Sequence, residues 1–450
     1  MMSLGLDTGD GQLDPHKYSV LDFKTFQSTI QILQTVQQEL STILNSPQKD
    51  GALRVLLPIR RLNTALLDLL PPTLKTKARG FAELLILETN EVQQLEHVQK
   101  SLDLRQGNNQ FALLAESKKL RLIAEETSDP LATWDLGDQV KVGGEKVGYN
   151  LVGSLRGEEG KVLVEYKSYE DPSIRQKLFG RMNEIVELCH SIKESESIKV
   201  LRCRGYFHSA AAAAFGLVYD FPSGFSSSME AKETDKDVKT TTLYQILDVG
   251  RRWQQPLLTN RFKLAKMLAG SISELHKIGW VHKGISSSNV AFFYTSESNF
   301  LSALEKPYIV GFKHSRSYAA FTEGPVSDET EKEYEHPDYA RLDKRYSPKY
   351  DYYSLGMVLL EIGLWKTLKK INAPGGLSPS GVREWLLTTM VPRLGQAMGS
   401  VYRDLVALCL GREFDRYDGI DDESERKVAT QLRFEMDVLS KLAIVSQYEI

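Results

Sequence analysis

The residues able to do chemistry lie in a few short stretches. VLVEYK ends on Lys167, FGRMNEIVELC carries Glu184 seventeen positions later, VHKGISSSNV holds His282 and Asn289, and YIVGFKHSR holds Gly311 and Lys313. An ammonium can bind phosphate and an amide oxygen can bind a metal, but accepting a hydroxyl proton and holding the Mg²⁺ that neutralises a phosphate call for carboxylates. The last two stretches contain none, and Gly284 and Gly311 stand at their centres. Taken alone, Lys167 and Glu184 are ordinary charges of a strand and a helix, and His282 is of the kind a core satisfies internally. Upstream, NLVGSLRGEEGKVLVEYK contains Gly153, Gly157 and Gly160 without the GxGxxG spacing that brings backbone N–H groups to phosphates, and a hairpin turn explains RGEEG equally well. Cys189, Cys203 and Cys409 are far apart and form no CxxC pair, which argues against a disulfide framework or a zinc site.

The elements that must position these residues change texture along the chain. From Leu21 to Leu44, Phe23, Phe26, Ile30, Leu33, Val36, Leu40 and Ile43 recur at steps of three and four, which is one face of a helix. Similar spacing recurs over Leu53 to Leu70, Phe81 to Val98 and Leu113 to Ile123, so a helical bundle is expected over 18–125, after a glycine-rich, acidic start at 1–17. The stretch 126–144, with Pro130, Gly137, Gly143 and Gly144, reads as a linker. Short valine-rich and aromatic runs follow, KVLVEYKSY from Lys161 and FGLVYDF from Phe215, with Met182 to Ser191 helical between them. After a polar insert at 221–242, helical patterns run to the end, including YRDLVALCL from Tyr402 and FEMDVLSKLAIVS from Phe434. A strand-rich portion followed by a helical one implies two lobes and a cleft.

Landmarks over about 200 residues stand in the order of the protein kinases. RFKLAKMLAGSISELHKIGW runs into VHKGISSSN, which resembles the helix and H-R-D-L-x-x-x-N loop of that family, matching His282, Lys283, Gly284, Ile285 and Asn289. YIVGFKHSR resembles the strand and D-F-G motif, with Gly311, Phe312 and Lys313 at its three places. YEHPDY, from Tyr334, resembles the segment ending in A-P-E, with Pro337 kept and Asp338 for the glutamate. SPKYDYYSLGMVLLEIG is similar to the buried large-lobe helix whose aspartate, here Asp351, hydrogen-bonds the catalytic loop.

The resemblance implies an α+β, bilobal protein-kinase-like fold over 145–450, with lobes split near 221–242 at the hinge LVYDFPSG, preceded by the all-α bundle. It also implies that Lys167 and Glu184 are the paired lysine and glutamate of the nucleotide site, that Asn289 is the remaining metal-ligand position, and that His282, Phe312 and Leu188 stack through the core. Where the family has the alanine of V-A-I-K against adenine, this chain has Glu165, costly in a desolvated slot unless it finds a partner. The catalytic aspartate and the metal-binding aspartate are replaced by Gly284 and Gly311. Each loss should cost roughly 100- to 1,000-fold in rate. No intact catalytic residue and no metal site are therefore expected. ATP, on a vestigial site of Lys167, Glu184 and Asn289, is the only cofactor left open.

The functional expectation is a pseudokinase signalling or scaffold protein acting through protein contacts, with the helical bundle as interaction or effector module. The architecture is similar to fungal HeLo and kinase-like proteins and to animal necroptosis pseudokinases. The alternative is a divergent kinase transferring phosphate from ATP to a protein, with an acid such as Asp338 or Glu323 entering the site. Ser226, Ser227, Ser228, Thr322, Ser327 and Thr330 are candidates for regulatory phosphorylation. With 42% apolar and 26% charged residues and a net charge of -3 in 450 residues, bulk charge does not point to nucleic acid. No apolar run approaches the ~18 residues of a membrane span, and MMSLGLDTGDGQLD lacks the regions of a secretory signal. A cytoplasmic location is expected, and peripheral membrane contact is not.

Overall fold

The computed structural model describes residues 89, 91–96 and 134–447, apart from 149, 159, 192–197, 223–224, 226–237, 250–254, 296–299, 318–331, 340–345 and 416–422. These belong to the unit Ile86–Ile450. Most of the expected N-terminal bundle lies outside the described residues, as do Glu323 and the serines and threonines named as candidate phosphosites. Residues 92–96, within the helix expected over Phe81 to Val98, are helical.

The described chain is a mixed α+β structure. Its first part is a five-stranded antiparallel sheet of spatial order β1-β2-β3-β5-β4, made of β1 (Val140–Val147), β2 (Asn150–Leu155), β3 (Val162–Ser168), β4 (Cys203–Ser209) and β5 (Ala214–Asp220). The expected linker ends earlier than its composition suggests, because Val140 to Val142 already pair with β2 and Asp135 bridges Tyr206 on the far edge. Helix α1 (Arg175–Ser191) begins seven residues before the helix expected at Met182 and packs on β4. It buries Leu178, Met182, Ile185, Val186 and Cys189 at helical spacing. Val162 and Val164 of β3 join Leu155, Phe207 and Val218 in a small cluster on one face of the sheet. Strand alternation puts Leu163, Glu165 and Lys167 on the opposite face, toward the main core.

The second part is mostly helical. The end of the polar insert is not loop: Val238–Thr242 form β6, which pairs with β8 (Val290–Thr295) in a three-stranded sheet completed by β9 (Tyr308–Ile309). Between them come α2 (Leu243–Val249), α3 (Leu258–Lys277) and the short β7 (Trp280–Val281), which pairs with β10 (Arg316–Ser317). Helix α4 (Pro348–Leu364) starts on Pro348, where its missing N–H costs nothing, and is buried from Pro348 to Gly363. It packs against α3 and against α5 (Ser400–Leu410), whose Tyr402, Leu405, Val406 and Cys409 are buried. No helix among the described residues is long and apolar enough to cross a membrane.

Candidate functional site

Glu165 joins the five-stranded sheet to the turn at Phe312–His314. Leu163 of β3 lies opposite Tyr219 of β5, so Tyr219 is diagonal to Glu165 on the same face and its hydroxyl donates to Oε2 at 3.2 Å. The carboxylate then reaches out of its own sheet. Oε2 accepts the backbone N–H of Phe312 at 3.1 Å and Oε1 that of Lys313 at 2.9 Å. These amides open a single 3-10 turn, Phe312–His314, whose first N–H groups lack partners within the turn. The anticipated cost of a carboxylate in a desolvated slot is thus met by three donors, all distant in sequence, and Glu165 is only 2% exposed.

Gly311 precedes that turn with φ +92, in the left-handed region. A Cβ there would lie 2.4 Å from both Cγ and Nδ2 of Asn289. The space an aspartate side chain would need is occupied by the Asn289 amide, whose Nδ2 donates to the Gly284 carbonyl at 2.7 Å. Gly284 is less constrained, since its Cβ would meet the Gly311 carbonyl oxygen at 3.1 Å. The three positions singled out from sequence therefore come together, but as a packed knot of protein groups. Lys167 places its Nζ 3.0 Å from Nδ1 of His314. Burial and then the charges of Lys167, Lys313 and Lys283 push the His314 pKa well down, which keeps the imidazole a neutral acceptor. Glu184 is an exposed residue of α1, its carboxylate 3.6 Å from Arg181.

Around this knot, Asp351 makes the contact to the 282–283 backbone that was expected of it. Asp351 of α4, fully buried, accepts the backbone N–H groups of His282 at 2.8 Å and Lys283 at 3.0 Å. It also accepts the Tyr346 hydroxyl at 2.7 Å and contacts Nε2 of His276 at 2.9 Å. Burial alone would raise its pKa, but the His276 hydrogen bond and the nearby histidines outweigh it and the net direction is down. His282 meets Phe312 edge-on with ring centres 4.7 Å apart, and Leu188 is buried in the same core. Its Nδ1 accepts the Gly284 N–H at 3.2 Å, and burial lowers its pKa to about 4, so it is a neutral core histidine. Lys283 adopts φ 65 and sets its ammonium 5.6 and 5.4 Å from the ring centres of Tyr339 and Tyr346.

Several partners were not legible from spacing. Tyr219 and His314 gave no motif signal, although the alternation of β5 puts Tyr219 inward. Glu361, three turns after Asp351 on α4, is fully buried and takes the Tyr334 hydroxyl at 3.0 Å, while Tyr334 contacts the Ser287 hydroxyl at 2.9 Å. Among the described residues, one His-carboxylate group could hold a metal: His336, Asp338 and Asp415, with ligand atoms within 4.8 Å of one another. It fits a metal poorly. His336 Nδ1 already accepts the Asp338 N–H at 3.1 Å, which leaves the proton on Nε2, and the Lys349 ammonium sits 2.9 Å from Asp415. Asp338, considered as a substitute acid, is held in that cluster.

A family model described as a domain of unknown function, DUF7580, matches residues 168–439. No curated protein matches the chain. The matched region takes in Glu184, Gly284, Asn289, Gly311 and Asp351 and begins immediately after Lys167.

Proposed function

The chain belongs to the DUF7580 family, and from the geometry of its site we propose that it is a catalytically inactive, protein-kinase-like scaffold that works through protein contacts. In this reading the five-stranded sheet with α1 is the small lobe and the part from β6 onward is the large lobe. The observation that carries it is the knot at Gly311. A metal-binding aspartate cannot be accommodated while Asn289 fills that space, and Asn289 is itself hydrogen-bonded to Gly284, where a proton acceptor would stand. Phosphoryl transfer depends on positioned charge rather than on covalent chemistry by the protein, so a centre without either carboxylate lacks what the reaction requires. Preservation of Asp351, His282 and Phe312 in their structural contacts supports a fold retained for its surface. The N-terminal helical bundle is proposed as the interaction or effector module, in a cytoplasmic setting.

The test is transfer of labelled phosphate by the purified full chain with Mg²⁺ and with Mn²⁺, alongside Lys167→Ala. No incorporation above background is expected from either protein. Incorporation by the wild type that Lys167→Ala abolishes would overturn the reading in favour of a divergent kinase.

A further inference from the structure

We infer that Glu165 is a built-in latch, holding the small lobe against the large one so that the cleft is closed without any ligand. Clefts between two bodies ordinarily close around a bound molecule whose groups touch both sides. Here the bridging group belongs to the chain. Glu165 sits on β3, and its two carboxylate oxygens accept N–H groups of Phe312 and Lys313 across the cleft. Lys167, two residues along the same face of β3, makes a second bridge to His314 in the same turn. Both contacts converge on three consecutive residues, and Tyr219 braces the carboxylate from behind. Opening the cleft would break two hydrogen bonds to an ionisable carboxylate together with the Lys167–His314 contact, and such charge-assisted bonds are the strong ones. Closure therefore does not wait for nucleotide, and a nucleotide would first have to break these bonds.

The inference rests on the two-lobe reading above, but its test does not depend on phosphate transfer. Backbone amide exchange is measured on the full chain, wild type and Glu165→Ala, comparing the peptide containing Phe312 and Lys313 with peptides from α4. The latch predicts exchange of the 312–313 amides at least about tenfold faster in the variant, with α4 within about twofold of wild type, since hydrogen bonds to charged groups are the strong ones. Unchanged 312–313 exchange, or acceleration shared equally by α4, overturns it. If Glu165→Ala does not fold, Tyr219→Phe keeps the carboxylate and removes only its brace. About threefold faster exchange confined to 312–313 then supports the latch, and no change overturns it. In the wild type, magnesium–ATP should leave 312–313 exchange unaltered, and added protection there would overturn ligand-free closure. Labelled phosphate transfer by a latched protein would sink the scaffold proposal and leave the latch standing.

Discussion

The contribution of Glu361 to stability should be lost as pH rises. Its carboxyl is fully buried, and burial pushes its pKa up to about 8 from an ordinary 4.5, against the opposing pull of the Leu368 N–H and the Ser287 and Tyr334 hydroxyls. Between those two values the folded protein holds a proton that the unfolded chain has released. The Glu361 contribution to stability is therefore fully present below pH 4.5 and is lost progressively up to pH 8, where the folded group ionises as well. The span from 4.5 to about 8, at 1.36 kcal/mol per pH unit, sets the full effect at about 5 kcal/mol. Glu361→Gln isolates it. The amide can accept the Leu368 N–H and donate to Tyr334 while carrying no charge to desolvate. Urea unfolding of both proteins at pH 5, 6, 7 and 8 gives the difference in stability at each pH, which cancels every other titrating group. The variant should match the wild type near pH 5 and exceed it by several kcal/mol at pH 8. Parallel curves for the two proteins would refute the reasoning, because they would mean that Glu361 ionises in the folded state at an ordinary pH.

Three further outcomes follow from named contacts. Gly311→Ala places a Cβ 2.4 Å from the Asn289 amide at φ +92, so thermal unfolding should show a loss of roughly 2–4 kcal/mol from strain and overpacking together. Tyr346→Phe removes a 2.7 Å donor from the buried Asp351 and should cost about 1–3 kcal/mol by urea denaturation, with the overall fold retained by circular dichroism. His282 and His336 both have pKa values lowered by burial to about 4 from 6.5, so the unfolded chain takes up protons that the folded chain refuses. Stability should fall as pH drops from 6.5 toward 4, by up to about 3 kcal/mol per histidine, and replacing His336 with Gln should flatten that part of the curve.

How much of this was readable depended on whether an interaction was local in sequence or carried by a motif. Asp351 and His282 were placed correctly because their roles ride on recognisable strings, SPKYDYYSLG and VHKGISSSN, and the structure joins them through a 2.8 Å hydrogen bond. The strand ending in Lys167 and the helix carrying Glu184 were legible from alternation and helical spacing. The element ends were not: β1 begins inside a glycine-bearing stretch that composition assigns to a linker, because pairing with β2 overrides local preference. Nor were the partners of Glu165, since a contact between residues 147 positions apart leaves no periodicity in the chain. What the sequence supplied there was a question, a carboxylate in an apolar slot, and the answer lay in amides freed by a turn that no propensity rule marks.

The departures at 165, 284 and 311, together with the retained Asn289, form one interlocked arrangement. The turn that Glu165 caps begins at Gly311, and its left-handed backbone is what presents the Phe312 and Lys313 amides to the carboxylate. Without a side chain at 311, the Asn289 amide can occupy the vacated space, and from there it reaches the Gly284 carbonyl. A side chain restored at 311 would have to displace Asn289, and any backbone shift that relieved the clash would move the amides that Glu165 holds. Reverting a single position to an acidic residue therefore does not rebuild a metal site, because the neighbours have already taken its volume and its hydrogen bonds. Close packing makes such a centre bistable rather than gradually adjustable. In the reading proposed above, the residues that leave the centre without carboxylate ligands are the same ones that tie the sheet to the Phe312–His314 turn, which is a physical reason for such a scaffold to keep Glu165, Gly284, Asn289 and Gly311 buried.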